Sequence, residues 1–419
     1  MEKGKQMLGS QFFRLKNIYM LLLLLTTISY VYLFSIYPIR NADSGVWIPM
    51  TIDFFENMNQ SIGVHRPLFG FLSHLIYRFL ILLNINNLNL TYASGINDQL
   101  VSISGNEAIA YVSWMILNYF FYVAIVILAF KASYELIRNK RVAFLFSILV
   151  LVSTELTNWM TNLAIMVPGV FIIYLSIYLL IKFKNYDSKK QVKASVIFGL
   201  IFGILMLGKA EYQILIFLTL VTVTLYRSQL RNLLFFVLSH FIPLLTWITY
   251  LIFFKSGYRV YEVVRDDYSI FEYWKRNFQI NSLQSYLDFF FILPFQGLIG
   301  SVPFGLGILC TISLFVTVGF FINNYLGKVL IIYLYSTALF LFIVNFSMAR
   351  HTFEYAPISY LGISLGLNSM YERTFVSRNL YIKSIYIIFV ILAILFIYYF
   401  NLKRNLSGVN PIDRGLPFI

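Results

Sequence analysis

IYMLLLLLTTISYVYLFSIY, residues 18–37, decides the fold. The run is twenty residues long and carries no charge. A helix crossing a bilayer needs about 20 mostly apolar residues, because each advances about 1.5 Å through a hydrocarbon core about 30 Å thick. A polar stretch then begins with Arg40-Asn41-Ala42-Asp43-Ser44-Gly45, and no small-residue cleavage site separates the two. The run therefore reads as a retained membrane span and not as a cleaved signal peptide.

Ten more apolar runs follow, at 110–130, 142–152, 165–181, 194–207, 214–226, 233–254, 302–322, 329–346, 355–367 and 384–400. They predict an all-α fold, a polytopic transmembrane helix bundle of about 11 spans, with residues 1–419 forming a single membrane domain. Composition agrees: 59% of the 419 residues are hydrophobic, 12% are charged and the mean hydropathy is +0.75. A soluble domain is about 25% charged. Cys310, the one cysteine, lies in an apolar run, so neither a disulfide framework nor a thiolate zinc site is available.

The net charge of +14 invites a nucleic-acid reading, which its distribution removes. With the basic N-terminus in the cytoplasm, the inner segments (131–141, 182–193, 227–231, 328 and 373–383, besides the N-terminus) hold 19 of the 32 Lys and Arg residues and, with Glu372 at the edge of the last, four of the 18 acids. The inner side then carries +15 and the outer side −1. That asymmetry is the positive-inside rule, and it leaves no excess for nucleic acid. It predicts a multi-pass plasma-membrane protein, of the bacterial cytoplasmic membrane, with a cytoplasmic N-terminus and an active face that is periplasmic or extracellular.

Function is expected on that outer side, where four polar segments lie between spans: 40–66, 154–162, 208–213 and 350–354. Ionisable groups at membrane depth are expensive and are candidates for function by default. The first outer loop, 38–109, opens with Asp43 at the water interface. Over 46–58, Trp47, Met50, Thr51, Phe54, Phe55 and Met58 share one apolar helical face, with Asp53 and Glu56 on others. A second helix is predicted over 67–83, with Pro67 in its first turn and His74 and Arg78 on one stripe. Both suit helices lying on the membrane surface.

Cations recur on the same side: His65 and Arg66 before Pro67, Lys209 wedged with Glu211 between two apolar runs, and Arg350 with His351. Together they form a candidate substrate-binding pocket for phosphate or pyrophosphate. Each also has a plainer reading: Lys209 as a snorkelling lysine paired with Glu211, the others as anchors beside headgroups. The outer loop 255–301 mixes Tyr258, Tyr261, Arg265, Asp266, Asp267, Tyr268 and Trp274. It reads as an acceptor-binding region or as an interfacial aromatic belt.

This order of parts resembles the GT-C superfamily of integral-membrane glycosyltransferases, which draw on polyprenyl-phosphate-linked sugars. The parts are a first span, an outer loop opening with an acid, two interfacial helices and then a bundle. Three strings add to the likeness: His65-Arg66-Pro67-Leu68 at the entry to the second interfacial helix, Leu207-Gly208-Lys209 at the end of a mid-chain span, and Arg350-His351 ahead of Pro357. The likeness in layout covers roughly residues 15–370.

The resemblance implies an inverting transferase that moves a sugar from a polyprenyl-phosphate carrier to a glycan, lipid or protein acceptor on the outer side. Asp43 would be the general base, with Asp53 in reserve and Glu155 and Glu211 more remote. Lys209 and Arg350, with Arg66, would offset charge on the departing phosphate. Asp43 as a structural partner of Arg40, and Asp53 on a solvated face, are the alternatives. Ser44 and not a second acid follows Asp43, so cations are expected in this role, and a divalent metal stays open. The implied partners are membrane lipids, the lipid-phosphate-linked sugar donor and a glycan or lipid acceptor; no cofactor is certain.

Two other functions fit a protein of this class. An O-antigen-type polysaccharide polymerase or ligase usually relies on a large late loop rich in arginine and histidine; here that loop has Arg259, Arg265 and Arg276 but no histidine. A lipid-linked oligosaccharide flippase or transporter would show repeat symmetry and charges near the midplane. Here the polar groups gather at one face.

Overall fold

The computed structural model describes residues 15–36, 39–41, 44–57, 67–85, 88–94, 100–152, 166–184, 186–208 and 230–254, together with Asn368. The chain enters through α1 (Leu15–Ile36) and β1 (Ile39–Asn41), then runs through α2 (Ser44–Ile52), α3 (Phe54–Asn57) and α4 (Pro67–Leu82). β2 (Asn89–Ser94) and β3 (Leu100–Ser104) follow. The helices α5 (Gly105–Ile137), α6 (Lys140–Leu151), α7 (Met166–Lys184), α8 (Ser188–Met206) and α9 (Leu230–Phe254) complete the described part.

The protein is a membrane protein built mostly of helices. Three described helical stretches are long and apolar enough to cross a bilayer: Leu15–Phe34, Gly105–Ile137 and Leu230–Tyr250. Six of the eleven apolar runs coincide with α1 and α5 to α9. The other five, at 214–226, 302–322, 329–346, 355–367 and 384–400, lie outside the described residues. α6 coincides with the run expected at 142–152; its 12 described residues rise about 18 Å.

Packing follows from the sequence. On α1, Met20, Leu24, Ile28 and Val31 are exposed on one stripe while Ile18, Leu22, Tyr30 and Leu33 are buried. Tyr30 donates its hydroxyl to the Met115 carbonyl of α5 at 2.6 Å. α8 meets α9 where glycines leave room: a Cβ on Gly203 would stand 2.3 Å from the His240 carbonyl oxygen, and one on Gly199 would stand 2.5 Å from that of Phe236. Small residues four apart let backbones approach this closely.

At the other end of α5, Glu135 pairs with Lys182 of α7 and with Arg138 (2.8 Å). Beside it, the Lys131 ammonium lies over the Tyr19 and Tyr178 rings, 5.7 and 5.9 Å from their centroids. These contacts tie α1, α5 and α7 at one level. In the α7–α8 turn, Asp187 caps α8 by accepting from the Lys190 N–H at 2.8 Å.

The loop 38–109 departs from the all-α expectation. It contains a three-stranded sheet of order β1-β2-β3. β1 runs parallel to β2, pairing Ile39 with Tyr92 and Asn41 with Ser94. β2 and β3 are antiparallel, with Leu90 opposite Ile103 and Asn89 opposite Ser104. The chain leaving α1 is thus fixed by backbone hydrogen bonds to the strands that lead into α5.

Candidate functional site

Asp43 lies between two ordered anchors. Asn41, two positions before it, is the last paired residue of β1, and Ser44, directly after it, opens α2. Asp43 itself is outside the described residues. α2 falls within the first helix expected in this loop, and Trp47, Met50 and Thr51 of its apolar face are buried within the protein, with Phe54 of α3 beside them. Phe55, expected on that face, is 53% exposed. The helix expected over 46–58 is in fact broken at Asp53, so the spacing of the face restarts there.

The break lies at Asp53 and not at Pro49, which is inside α2 and whose carbonyl still accepts the Asp53 N–H at 2.9 Å. Asp53 then caps α3, its Oδ1 accepting the Glu56 N–H at 3.2 Å. This cap is the described role of the reserve base.

α4 packs against α2 through polar contacts. The Thr51 and Ser73 hydroxyls are 2.8 Å apart and both buried. Thr51 Oγ1 is also 2.7 Å from the Trp47 carbonyl oxygen, and Ser73 Oγ is 2.9 Å from that of Gly70. Two hydroxyl protons serve three contacts, so one backbone contact is given up whenever one hydroxyl donates to the other. The buried His74 places Nδ1 3.0 Å from the Thr51 carbonyl oxygen, while Arg78 Nε donates to its Nε2 at 3.4 Å. Those partners put the donor at Nδ1 and the acceptor at Nε2.

Behind α2, the Trp47 and Trp114 rings lie 5.0 Å apart and both are buried. Neither indole N–H has a hydrogen-bond partner among the described residues. Nothing in the spacing of the sequence marks this pair, because Trp114 lies inside an apolar run.

The entry to α4 makes a contact that the sequence does not announce. The Leu68 N–H donates to the Leu207 carbonyl at 3.2 Å, and Gly208 lies against the fully buried Phe69. Two of the cation-bearing strings singled out above therefore meet through their ordered neighbours, since Arg66 precedes Pro67 and Lys209 follows Gly208 in the chain. His65, Arg66, Lys209, Glu211, Arg350 and His351 are themselves outside the described residues, as is the loop 255–301. Among the described residues there is no group of three or more His, Cys, Asp or Glu side chains that could hold a metal ion.

The fold is similar to that of the Archaeoglobus fulgidus oligosaccharyltransferase, in a crystal structure with an acceptor peptide containing the NVT sequon tethered through a disulfide bond. The TM-score is 0.56 at 13% identity, and the match covers 94% of this chain. The chain spans 56% of the length of that oligosaccharyltransferase chain. No protein-family model matches the sequence, and no curated protein matches it significantly. At this identity the likeness concerns the fold alone.

Proposed function

We propose that this chain, which shares its fold with a GT-C oligosaccharyltransferase, is a membrane glycosyltransferase. It takes a sugar from a polyprenyl-phosphate carrier and transfers it to a glycan, lipid or protein acceptor at the outer face of the membrane. The observation that carries the reading is the fold likeness over 94% of the chain. The meeting of the segments next to Arg66 and Lys209 supports it, through the bond from Leu68 to Leu207.

In the reaction, Asp43 takes the proton of the acceptor hydroxyl. The oxygen attacks the anomeric carbon, the bond from that carbon to the phosphate oxygen breaks, and the electron pair leaves with the phosphate. A single displacement of this kind inverts the anomeric centre. Arg66, Lys209 and Arg350 offset the charge gained by the leaving group. An ordinary aspartate has a pKa of about 3.9 and is a weak base, so the interface must desolvate Asp43 for this role. In this reading α2 and α4 would lie at that interface, with the basic segments facing the cytoplasm as the positive-inside rule expects.

The test is sugar transfer by purified protein in vesicles, comparing wild type with Asp43→Asn and Lys209→Ala. Loss of the base is expected to slow transfer by about 10²- to 10⁴-fold. Normal rates in both variants would remove the mechanism, and uptake or flipping of lipid-linked sugar that stops without loss of transfer would assign the chain to transport. Mass spectrometry of surface glycans with and without the protein would then identify the sugar and the acceptor.

A further inference from the structure

Where α1 begins and α5 and α7 end, cations outnumber the acid that answers them. Glu135 pairs with both Lys182 and Arg138. Lys131, one turn earlier on α5, adds a third cation, and among the described residues it has no ion pair. Its ammonium lies 5.7 Å from the centroid of the Tyr19 ring and 5.9 Å from that of Tyr178. The Lys182 ammonium lies 5.8 Å from the same Tyr178 ring, so two cations share one ring.

Ring faces attract an ammonium through their quadrupole but do not cancel its charge. Lys131 is half-buried, and a charge withdrawn from water is costly until an anion lies beside it. Glu135 is already engaged twice, so the described residues leave an anion wanting at this level.

The surface beside the cluster says what kind of anion fits. Along α1, Lys16 is exposed, Tyr19 is half-buried, and Met20, Leu23 and Leu24 are exposed again. Lys16, Tyr19 and Leu23 fall on one stripe of the helix. A cation, an aromatic ring and then aliphatic side chains follow the order in which a phospholipid presents its phosphate, its interfacial region and its acyl chains. An anion arriving free from water would make no use of the aliphatic part.

We propose that Lys131, held between the rings of Tyr19 and Tyr178 and next to Lys182, binds the phosphodiester headgroup of an anionic glycerophospholipid whose acyl chain lies along the exposed side of α1. The positive-inside rule assigns this level to the cytoplasmic leaflet, whose surface is negative, and basic pockets between spans on that side hold lipid headgroups. A headgroup without an ammonium of its own cancels the excess charge, whereas a choline headgroup brings a further cation to the cluster. The site is independent of sugar transfer, since it lies at the far end of α5 from the loop 38–109. Its occupant would join α1, α5 and α7, the three helices that supply the cations and rings.

The experiment is native mass spectrometry of the full chain released from detergent micelles and titrated with phosphatidylglycerol or phosphatidylcholine of the same acyl chains. Wild type is expected to hold phosphatidylglycerol about tenfold more tightly, and Lys131→Met to lose about fivefold of that preference. Lys189→Met removes the same charge from an exposed position at the start of α8, outside the cluster, and should leave the preference unchanged. Tyr178→Leu keeps every charge and is expected to lower the preference about threefold; it supplies the readout if Lys131→Met does not fold. Phosphatidylglycerol should also raise the thermal unfolding midpoint of wild type and not that of Lys131→Met, because a ligand stabilises only the folded form that binds it. Equal affinity of wild type for the two lipids would overturn the site. Equal losses in Lys131→Met and Lys189→Met would replace it with general surface charge. Displacement of phosphatidylglycerol by millimolar inorganic phosphate would overturn the lipid source, and a doubled mass with no lipid retained would give this face to a second copy of the chain.

Discussion

Two helix contacts in this molecule, α8 on α9 and α2 on α4, are made by opposite means. Where α8 meets α9, glycine hydrogens face backbone carbonyls, and Gly203 lies under the His240 carbonyl oxygen with no room for a methyl group. Where α2 meets α4, hydroxyls and an imidazole connect Thr51, Ser73, His74 and Arg78. Lipid tails are as apolar as leucine, so spans gain little from hydrophobic contact with each other and instead pack backbones closely. A close-packed seam tolerates sliding until atoms collide. Hydrogen bonds fix direction as well as distance, which suits the element that follows Asp43.

At the close-packed seam two effects oppose each other. Gly203→Ala gains about 1 kcal/mol of helix propensity. It must also push a backbone carbonyl from 2.3 Å to ordinary contact, and overpacking of this kind costs about 1–3 kcal/mol. The net result should be a lower midpoint in thermal unfolding of the detergent-solubilised protein; a raised midpoint would show that the helices can part at no cost. His74→Phe keeps a ring but removes the partner of the Thr51 carbonyl and of Arg78, for an expected loss of about 1–3 kcal/mol. Its transfer rate should fall more than its stability does, and equal behaviour in both assays would remove the distinction between the two contacts.

Ser73→Ala is expected to cost less, about 0.5–1.5 kcal/mol, since Thr51 retains the Trp47 carbonyl as a partner. An effect as large as that at His74 would mean that the hydroxyl pair, and not the imidazole, sets the register of α4. The smallest effect belongs to Asp187, outside both contacts. The Lys190 backbone N–H, and then the Lys190 side chain, hold its carboxyl below its usual value of 3.8. A lowered pKa in the folded state gives stability that is present above 3.8 and lost as pH falls through the folded value. Asp187→Ala should therefore differ slightly from wild type near neutral pH and converge with it in strong acid. A gap that widens in acid would contradict the cap.

The bundle was legible in the sequence because spans are written in composition: uninterrupted apolar residues locate α1, α5 and α9 without reference to partners. Basic residues mark the ends of α5 and α7, where Lys182 pairs with Glu135 and Lys131 lies over the Tyr19 ring. The sheet was missed for a physical reason. Its strands are three to six residues long, lie among Asn, Ser and Thr, and are defined by pairing with a segment some fifty positions away. In the site, Trp47, Met50 and Thr51 follow the helical period, but Asp53 resets it by capping α3. The contact at Gly208 could not be read at all, because a glycine at a helix end looks the same whether it faces water or a phenylalanine.

β3 runs into α5 without an intervening residue, and this bears on how the protein is made. Chains are synthesised from the N-terminus at about 5–20 residues per second. β1 appears early and waits for β2, its only neighbour in the sheet. The parallel pairing closes over everything between, α2, α3 and α4 included, just as the first turns of α5 are added. The segment from β1 to β3 should therefore mature as one event early in synthesis, before α7 to α9 exist, and it would meet α8 already assembled.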